Sequence, residues 1–199
     1  AYALEGAVFV AGAAVQWLRD GLRLFREAAE VEQLAQSTQP GEVIFVPGFV
    51  GLGSPHWVPE ARGVLFGLTR GTSAADISRA TLEGVALQVA DLIDAAAQDA
   101  GQRLRALRVD GGMARNAWFL QCQADVLGLP VIPSPTNEAT ALRAAYLAGL
   151  ASGIWPDPSA LRALSQETEA FAPRMPATAR EHLLERWKRA VEAVIAFYR

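Results

Sequence analysis

Cysteine, histidine and methionine are scarce: one Cys, two His and two Met in 199 residues. A single cysteine cannot pair within the chain, which excludes a disulfide scaffold and fits a reducing, cytoplasmic setting. His56 and His182 stand far apart with no Cys or carboxylate at ligand spacing, so no metal site is expected. A basic block is also missing. With 18 Lys+Arg against 21 Asp+Glu and a net charge of -3, nothing marks a surface for a nucleic acid backbone, and nucleic acid is not an expected partner. No apolar run is long enough for a membrane span of about 20 residues. The nearest, Ala7 to Leu18, is interrupted by Gln16 and bracketed by Glu5 and Arg19, and it lacks the preceding cations of a secretory signal. Neither Gly-x-Ser-x-Gly nor Gly-Lys-Ser/Thr occurs, so the nucleophile elbow and the P-loop drop out.

What remains is the composition of a globular domain, 51% hydrophobic and 20% charged, with no low-complexity linker to divide it. One structural unit over residues 1–199 is the expectation. The chain starts without methionine and runs directly into patterned apolar sequence, which suggests a piece of a longer polypeptide.

Hydrophobic periodicity places the elements. Tyr2 to Val8 reads as a strand, and Val10 to Phe25 as an amphipathic helix with Val10, Ala14, Trp17, Leu18 and Leu22 on one face. A short helix then runs through Ala35. Val43 to Val46 reads as a buried strand, residues 47–63 as a Gly/Pro loop, and Val64 to Leu68 as a second strand. Ser73 three residues before Asp76 has capping-box spacing and opens a helix over Ala74 to Ala100, closed by Gly101. Leu104 to Val109, then a helix from Asn116 to Leu127, then Val131-Ile132 and a helix from Glu138 to Ala151 form a strand-helix alternation, the signature of parallel strands joined by crossover helices. A proline-rich stretch precedes a terminal helix with Leu183, Trp187, Ala190, Val191, Val194 and Tyr198 on one face.

Gly111-Gly112 is the most informative local feature. It falls where a strand hands over to a helix, where amides lack intrahelical partners and the absence of side chains lets a ligand approach the backbone. The pair lacks dinucleotide-fingerprint spacing, and by itself fits a plain tight turn equally well. Asn116 suits a helix N-cap. Gly12 sits inside a helical pattern at a cost of about 1 kcal/mol relative to alanine, which close helix packing or close approach of a ligand would offset. Gln16, four residues on, shares its face and reads either as a solvated side chain or as an amide presented to that ligand. Glu83, Asp91 and Asp110 are candidate acids; only Asp110 adjoins the glycine turn. Cys122, between Gln121 and Gln123 in a helix, reads as core rather than as a nucleophile.

Taken together, these motifs carry a resemblance. Gly63-Val64-Leu65-Phe66-Gly67-Leu68 followed by Asp76-Ile77-Ser78-Arg79-Ala80-Thr81-Leu82-Glu83 resembles a signature of the FGGY carbohydrate kinases. Tyr2-Ala3-Leu4-Glu5-Gly6-Ala7, Gln16-Trp17-Leu18-Arg19-Asp20, Gly51-Leu52-Gly53, Arg108-Val109-Asp110-Gly111-Gly112 and Ala145-Tyr146-Leu147-Ala148-Gly149 extend the likeness to the C-terminal domain of that family, over about residues 2–155.

The resemblance implies an α/β fold, a ribonuclease-H-like domain of the actin/hexokinase ATPase kind with a mixed sheet and flanking helices. It further implies ATP or ADP as ligand, contacted by Gly12, Gln16, Gly112 and Asn116, with Mg2+ accompanying the nucleotide in a full-length enzyme that phosphorylates a polyol. No catalytic residue is implied within this chain. The first phosphate hairpin, the polyol-binding domain and the catalytic aspartate belong, in the family, to sequence upstream, so the isolated chain is expected to be inactive, and copies are expected to pair along an exposed sheet edge. Asp110-Gly111-Gly112 with Asn116 resembles the glycerol-phosphorylating branch. His56-Trp57-Val58 departs from that branch's usual Tyr-Trp-Asp toward the pentulose branch, which stands second, and a noncatalytic module that kept a nucleotide half-site stands third. Arg143 replaces a residue that is small in the family, either pointing to solvent or crowding the nucleotide side.

Overall fold

The computed structural model describes residues 3–136, 138–162, 164 and 168–199. Its elements in chain order are α1 (Gly12–Asp20), α2 (Glu30–Gln36), β1 (Ile44–Val46), β2 (Val64–Phe66), α3 (Ala74–Ala100), β3 (Leu107–Val109), α4 (Ala117–Leu127), β4 (Val131–Pro133), α5 (Ala139–Ala151), α6 (Pro158–Arg162) and α7 (Ala177–Tyr198), with a 3-10 turn at Gly112–Arg115 ahead of α4. β1 and β2 pair antiparallel, with Phe45 opposite Leu65. β3 and β4 pair parallel, with Arg108 opposite Ile132, and α4 is the crossover between them.

The long helix α3 is the spine. Ser73 accepts from the Asp76 amide while the Asp76 carboxylate takes the Ser73 amide at 2.8 Å. Gly101 closes the helix with φ 65°. Over its middle α3 is buried on all sides, with Ala80, Leu82, Val85, Ala86, Leu87 and Ala90 among its buried residues. Gly84 lets the helix lie directly on β1, because a methyl group there would run into the Phe45 carbonyl. Two amides tie neighbouring elements to main-chain carbonyls inside the core: Gln123 Nε2 donates to Ala86 at 3.1 Å, and Gln88 Nε2 to Val10 at 3.3 Å. Each satisfies a buried acceptor while fixing the position of α4 or of the chain entering α1.

α7 closes the other side with Trp187, Ala190, Val191 and Val194 buried. Trp187 is 1% exposed, and its indole N–H donates to Asp91 at 2.8 Å, an acceptor shared with His56 Nε2 at 2.9 Å. His56 therefore has a structural role, holding the Gly/Pro loop to α3. Arg180 donates to the Val126 and Leu127 carbonyls at 2.7 and 3.1 Å, satisfying the C-terminal end of α4.

Expectations for the first two elements change. Tyr2 lies outside the described residues, and Ala3 to Val8 forms no strand. An extended segment becomes a strand only when a neighbour fills its hydrogen-bonding edge, and the backbone bond found here is a single one, from Ser54 N to Ala7 O at 3.2 Å. The first helix ends at Asp20 and does not continue to Phe25: the Gly21 and Leu22 amides both turn back to the Trp17 carbonyl, Arg23 takes φ 55°, and Leu22 is 41% exposed. The helix expected from Asn116 is present as α4 with Asn116 as its N-cap, and a 3-10 turn over Gly112–Arg115 leads into it. Among the described residues no helix is long and apolar enough to cross a membrane.

Candidate functional site

α1 supplies the first wall of a cleft of about 710 Å³. Its buried side, Ala14, Val15 and Leu18, anchors it to the core, which leaves Gly12 and Gln16, one turn apart, lining the cleft together with Arg19. Arg19 is held by its neighbour Asp20 through two bonds of 2.7 and 2.9 Å. Packing does not demand glycine at position 12: an added methyl would find only the Met113 side chain, at 3.8 Å.

The second wall is the glycine turn. Gly111 takes φ 93°, a backbone conformation that favours glycine. The turn that follows uses Gly111 O and Met113 O to accept from Ala114 and Asn116 at 3.1 Å. As the first residues of a 3-10 turn, Gly112 and Met113 have amides without a carbonyl partner in it. A methyl at Gly112 would meet nothing within 4 Å, so a backbone-hugging ligand has room there.

α4 begins where the turn ends. Asn116 Oδ1 accepts from Phe119 N at 2.8 Å, the expected N-cap. Glu32, projected from α2, accepts from Trp118 N at 3.1 Å. The start of α4 is thereby capped twice, once by a carboxylate, and is no open seat for an anion. The free amides belong to the glycine turn instead. No partner for Asn116 Nδ2 is found among the described residues, leaving that amide to the cleft.

All four residues singled out from sequence, Gly12, Gln16, Gly112 and Asn116, thus line one cleft, although they come from segments about a hundred positions apart. Asp110 lines the same cleft, as do Glu32, Val15, Leu82, Met113 and Arg115; these last five carry no sequence signal, because apolar residues at these spacings look like ordinary core and no spacing relates Glu32 to Trp118. The other candidate acids lie elsewhere. Asp91 is engaged by His56 and Trp187. Glu83 pairs with Arg79 at 2.8 Å, with Arg79 also over the Trp118 ring at 5.3 Å; burial raises its carboxyl pKa despite Arg79 and Arg186. Cys122 is buried, and burial pushes its thiol well up, leaving a packing residue. No group of three or more metal-ligating side chains converges among the described residues.

Residues 1–152 match the model of the C-terminal domain of the FGGY family of carbohydrate kinases. The chain belongs to that family. The glycerol kinase of Oleidesulfovibrio alaskensis is 55% identical over 192 residues, covering 96% of this chain and 39% of that protein. The glycerol kinase of Myxococcus xanthus is 50% identical over the same length. Among solved structures, Plasmodium falciparum glycerol kinase with ADP superposes with a TM-score of 0.84 at 34% identity, over 92% of this chain and 37% of that one. A ligand-bound xylulose kinase of Lactobacillus acidophilus gives 0.82 at 26% identity. This FGGY domain thus spans about 39% of the length of these curated relatives, and its likeness to the solved kinases bears out the expected α/β, ribonuclease-H-like class; in place of the expected mixed sheet, the described residues form two separate two-stranded sheets, one antiparallel and one parallel.

Proposed function

We propose that this FGGY domain is the nucleotide-binding part of an ATP-dependent kinase that phosphorylates glycerol. The observation that carries the reading is the convergence of Gly12, Gln16, Gly112 and Asn116 on one cleft beside a glycine turn with free amides. Gln16 and Asn116 offer side-chain amides for the adenosine end, Gly12 gives it room, and the Gly112 turn offers backbone donors where the phosphates begin. Among the solved structures the glycerol kinase is 34% identical against 26% for the xylulose kinase, and with identities of 50 to 55% to curated glycerol kinases this supports glycerol over a pentulose.

Phosphoryl transfer needs a positioned nucleophile and neutralised phosphate charge. The groups assigned here bind and orient the nucleotide. The polyol site, the first phosphate hairpin and the base for the hydroxyl proton are assigned to an N-terminal domain of the same polypeptide. The reading gives this chain no magnesium ligand: Mg2+ arrives chelated by the nucleotide.

Neutral hydrogen bonds contribute about 0.5–1.5 kcal/mol each and millimolar affinity corresponds to about 4 kcal/mol, so the contacts offered by Gln16, Asn116 and the Gly112 turn give affinity in the millimolar range. Calorimetric titration of the 199-residue chain with ATP is expected to show that weak binding and no turnover. Joined to the N-terminal domain, the chain is expected to phosphorylate glycerol in preference to D-xylulose. Micromolar ATP binding by the isolated chain would overturn the half-site picture, and preference for D-xylulose would overturn the substrate assignment.

A further inference from the structure

Helix α5 has an unusual composition for a helix with so little of its surface buried. Of its thirteen residues only Ala139 and Gly149 are buried, and Leu147 is 69% exposed, yet it carries a single charge, Arg143. That one guanidinium stands 3.9 Å from the carboxylate of Asp110, at the end of β3. An exposed pair at such a distance contributes about 0–1 kcal/mol, so fold stability gives little reason for its placement.

The surroundings give a better one. Arg143 and Arg108 both line a cavity of about 390 Å³, whose wall also carries Ser134, Thr136 and Tyr146. Asp110 lines the adjoining cleft with Gly112 and Asn116. The Arg143–Asp110 pair therefore sits across the boundary between the two, beside the glycine turn. With Arg19 held by Asp20, Arg108, Arg115 and Arg143 stand against Glu32 and Asp110 around the two, which leaves an excess of positive charge, and guanidinium matches phosphate oxygens in geometry as well as sign.

Resting on the nucleotide reading above, we propose that Arg143 is a binding residue for the phosphate end of the nucleotide, with Asp110 as its partner until phosphate competes for it. Phosphate carries more charge than one carboxylate and offers more acceptor oxygens, so it displaces Asp110 from the guanidinium without any change in the backbone. Arg143 then supplies from α5 the positive charge that the doubly capped start of α4 does not.

The test compares ATP with adenosine, which keeps the base and ribose and lacks the phosphates, by titration of the 199-residue chain and its variants. Arg143→Ala is expected to weaken ATP about tenfold, the size of one charge-assisted contact, and to leave adenosine unchanged. Arg143→Lys should recover part of the loss, and Asp110→Asn should tighten ATP by freeing the arginine. Equal effects of Arg143→Ala on both ligands, or none on ATP while adenosine still binds, would overturn the assignment of Arg143 alone. Failure of the unaltered chain to bind either ligand would overturn the nucleotide reading and this inference with it. Circular dichroism of each variant separates loss of contact from loss of fold.

Discussion

Gly112 and Asn116 show how differently one residue can serve fold and site. With nothing within 4 Å of a methyl at position 112, Gly112→Ala is expected to change unfolding free energy by no more than about 0.5 kcal/mol while weakening ATP, because the methyl intrudes where the nucleotide would approach. Thermal unfolding and ATP titration on the same preparation check both halves. Asn116 does two jobs with two atoms: Oδ1 caps α4 through Phe119 N, and Nδ2 is left for the cleft. Asn116→Ser keeps an N-cap acceptor and should retain stability while losing the amide donor. Asn116→Ala should lose both, at about 1 kcal/mol for the cap. If the serine variant binds ATP as well as the parent, the Nδ2 assignment fails. The capping role was legible in the sequence from residue type and position; the donor left over was not, because only the fold shows which oxygen is already spent.

At the scale of elements, α3 was the most legible, its bounds marked by Ser73, Asp76 and Gly101 at both ends. Local chemistry settles such a helix, since caps satisfy groups that would otherwise be orphaned wherever the helix lies. Its start also sets a pH dependence. The Asp76 carboxyl is held below its ordinary value of 3.8 by the Thr38 hydroxyl and by the Ser73 side chain and amide. A lowered folded value means the unfolded chain binds the proton more readily, so this contribution is present above pH 3.8 and is lost as pH falls through the lowered value. Asp76→Ala should cost about 1 kcal/mol at neutral pH and lack that share of the acid-induced loss, measured by urea unfolding along a pH series. Glu83 runs the other way: burial raises its carboxyl above 4.5, so its contribution is fullest below that value and fades as pH rises through the raised one. The strand expected over Tyr2 to Val8 marks the limit of local reading, since residue type describes a segment able to extend and says nothing of whether a partner lies beside it.

For the whole molecule, the terminal helix α7 decides whether β1, α3 and α4 stay closed over one core. Trp187 fills that core and satisfies Asp91 from within it. Trp187→Ala should cost about 3–5 kcal/mol, read as a lower urea midpoint, and should also release His56 from part of its shared acceptor. An unchanged midpoint would show that α7 is only laid on the surface. The sequence by itself marked the ends of α3, because capping acts over a few residues and survives in any context, and through its family resemblance it pointed to the class of fold and to the four residues of the proposed half-site. Tertiary structure alone decided that α1 and the glycine turn share a cleft, that Glu32 from α2 closes the start of α4, and that Arg143 stands beside Asp110. Those relations join residues far apart in the chain, and only the packing of apolar faces around α3 fixes the distances between them.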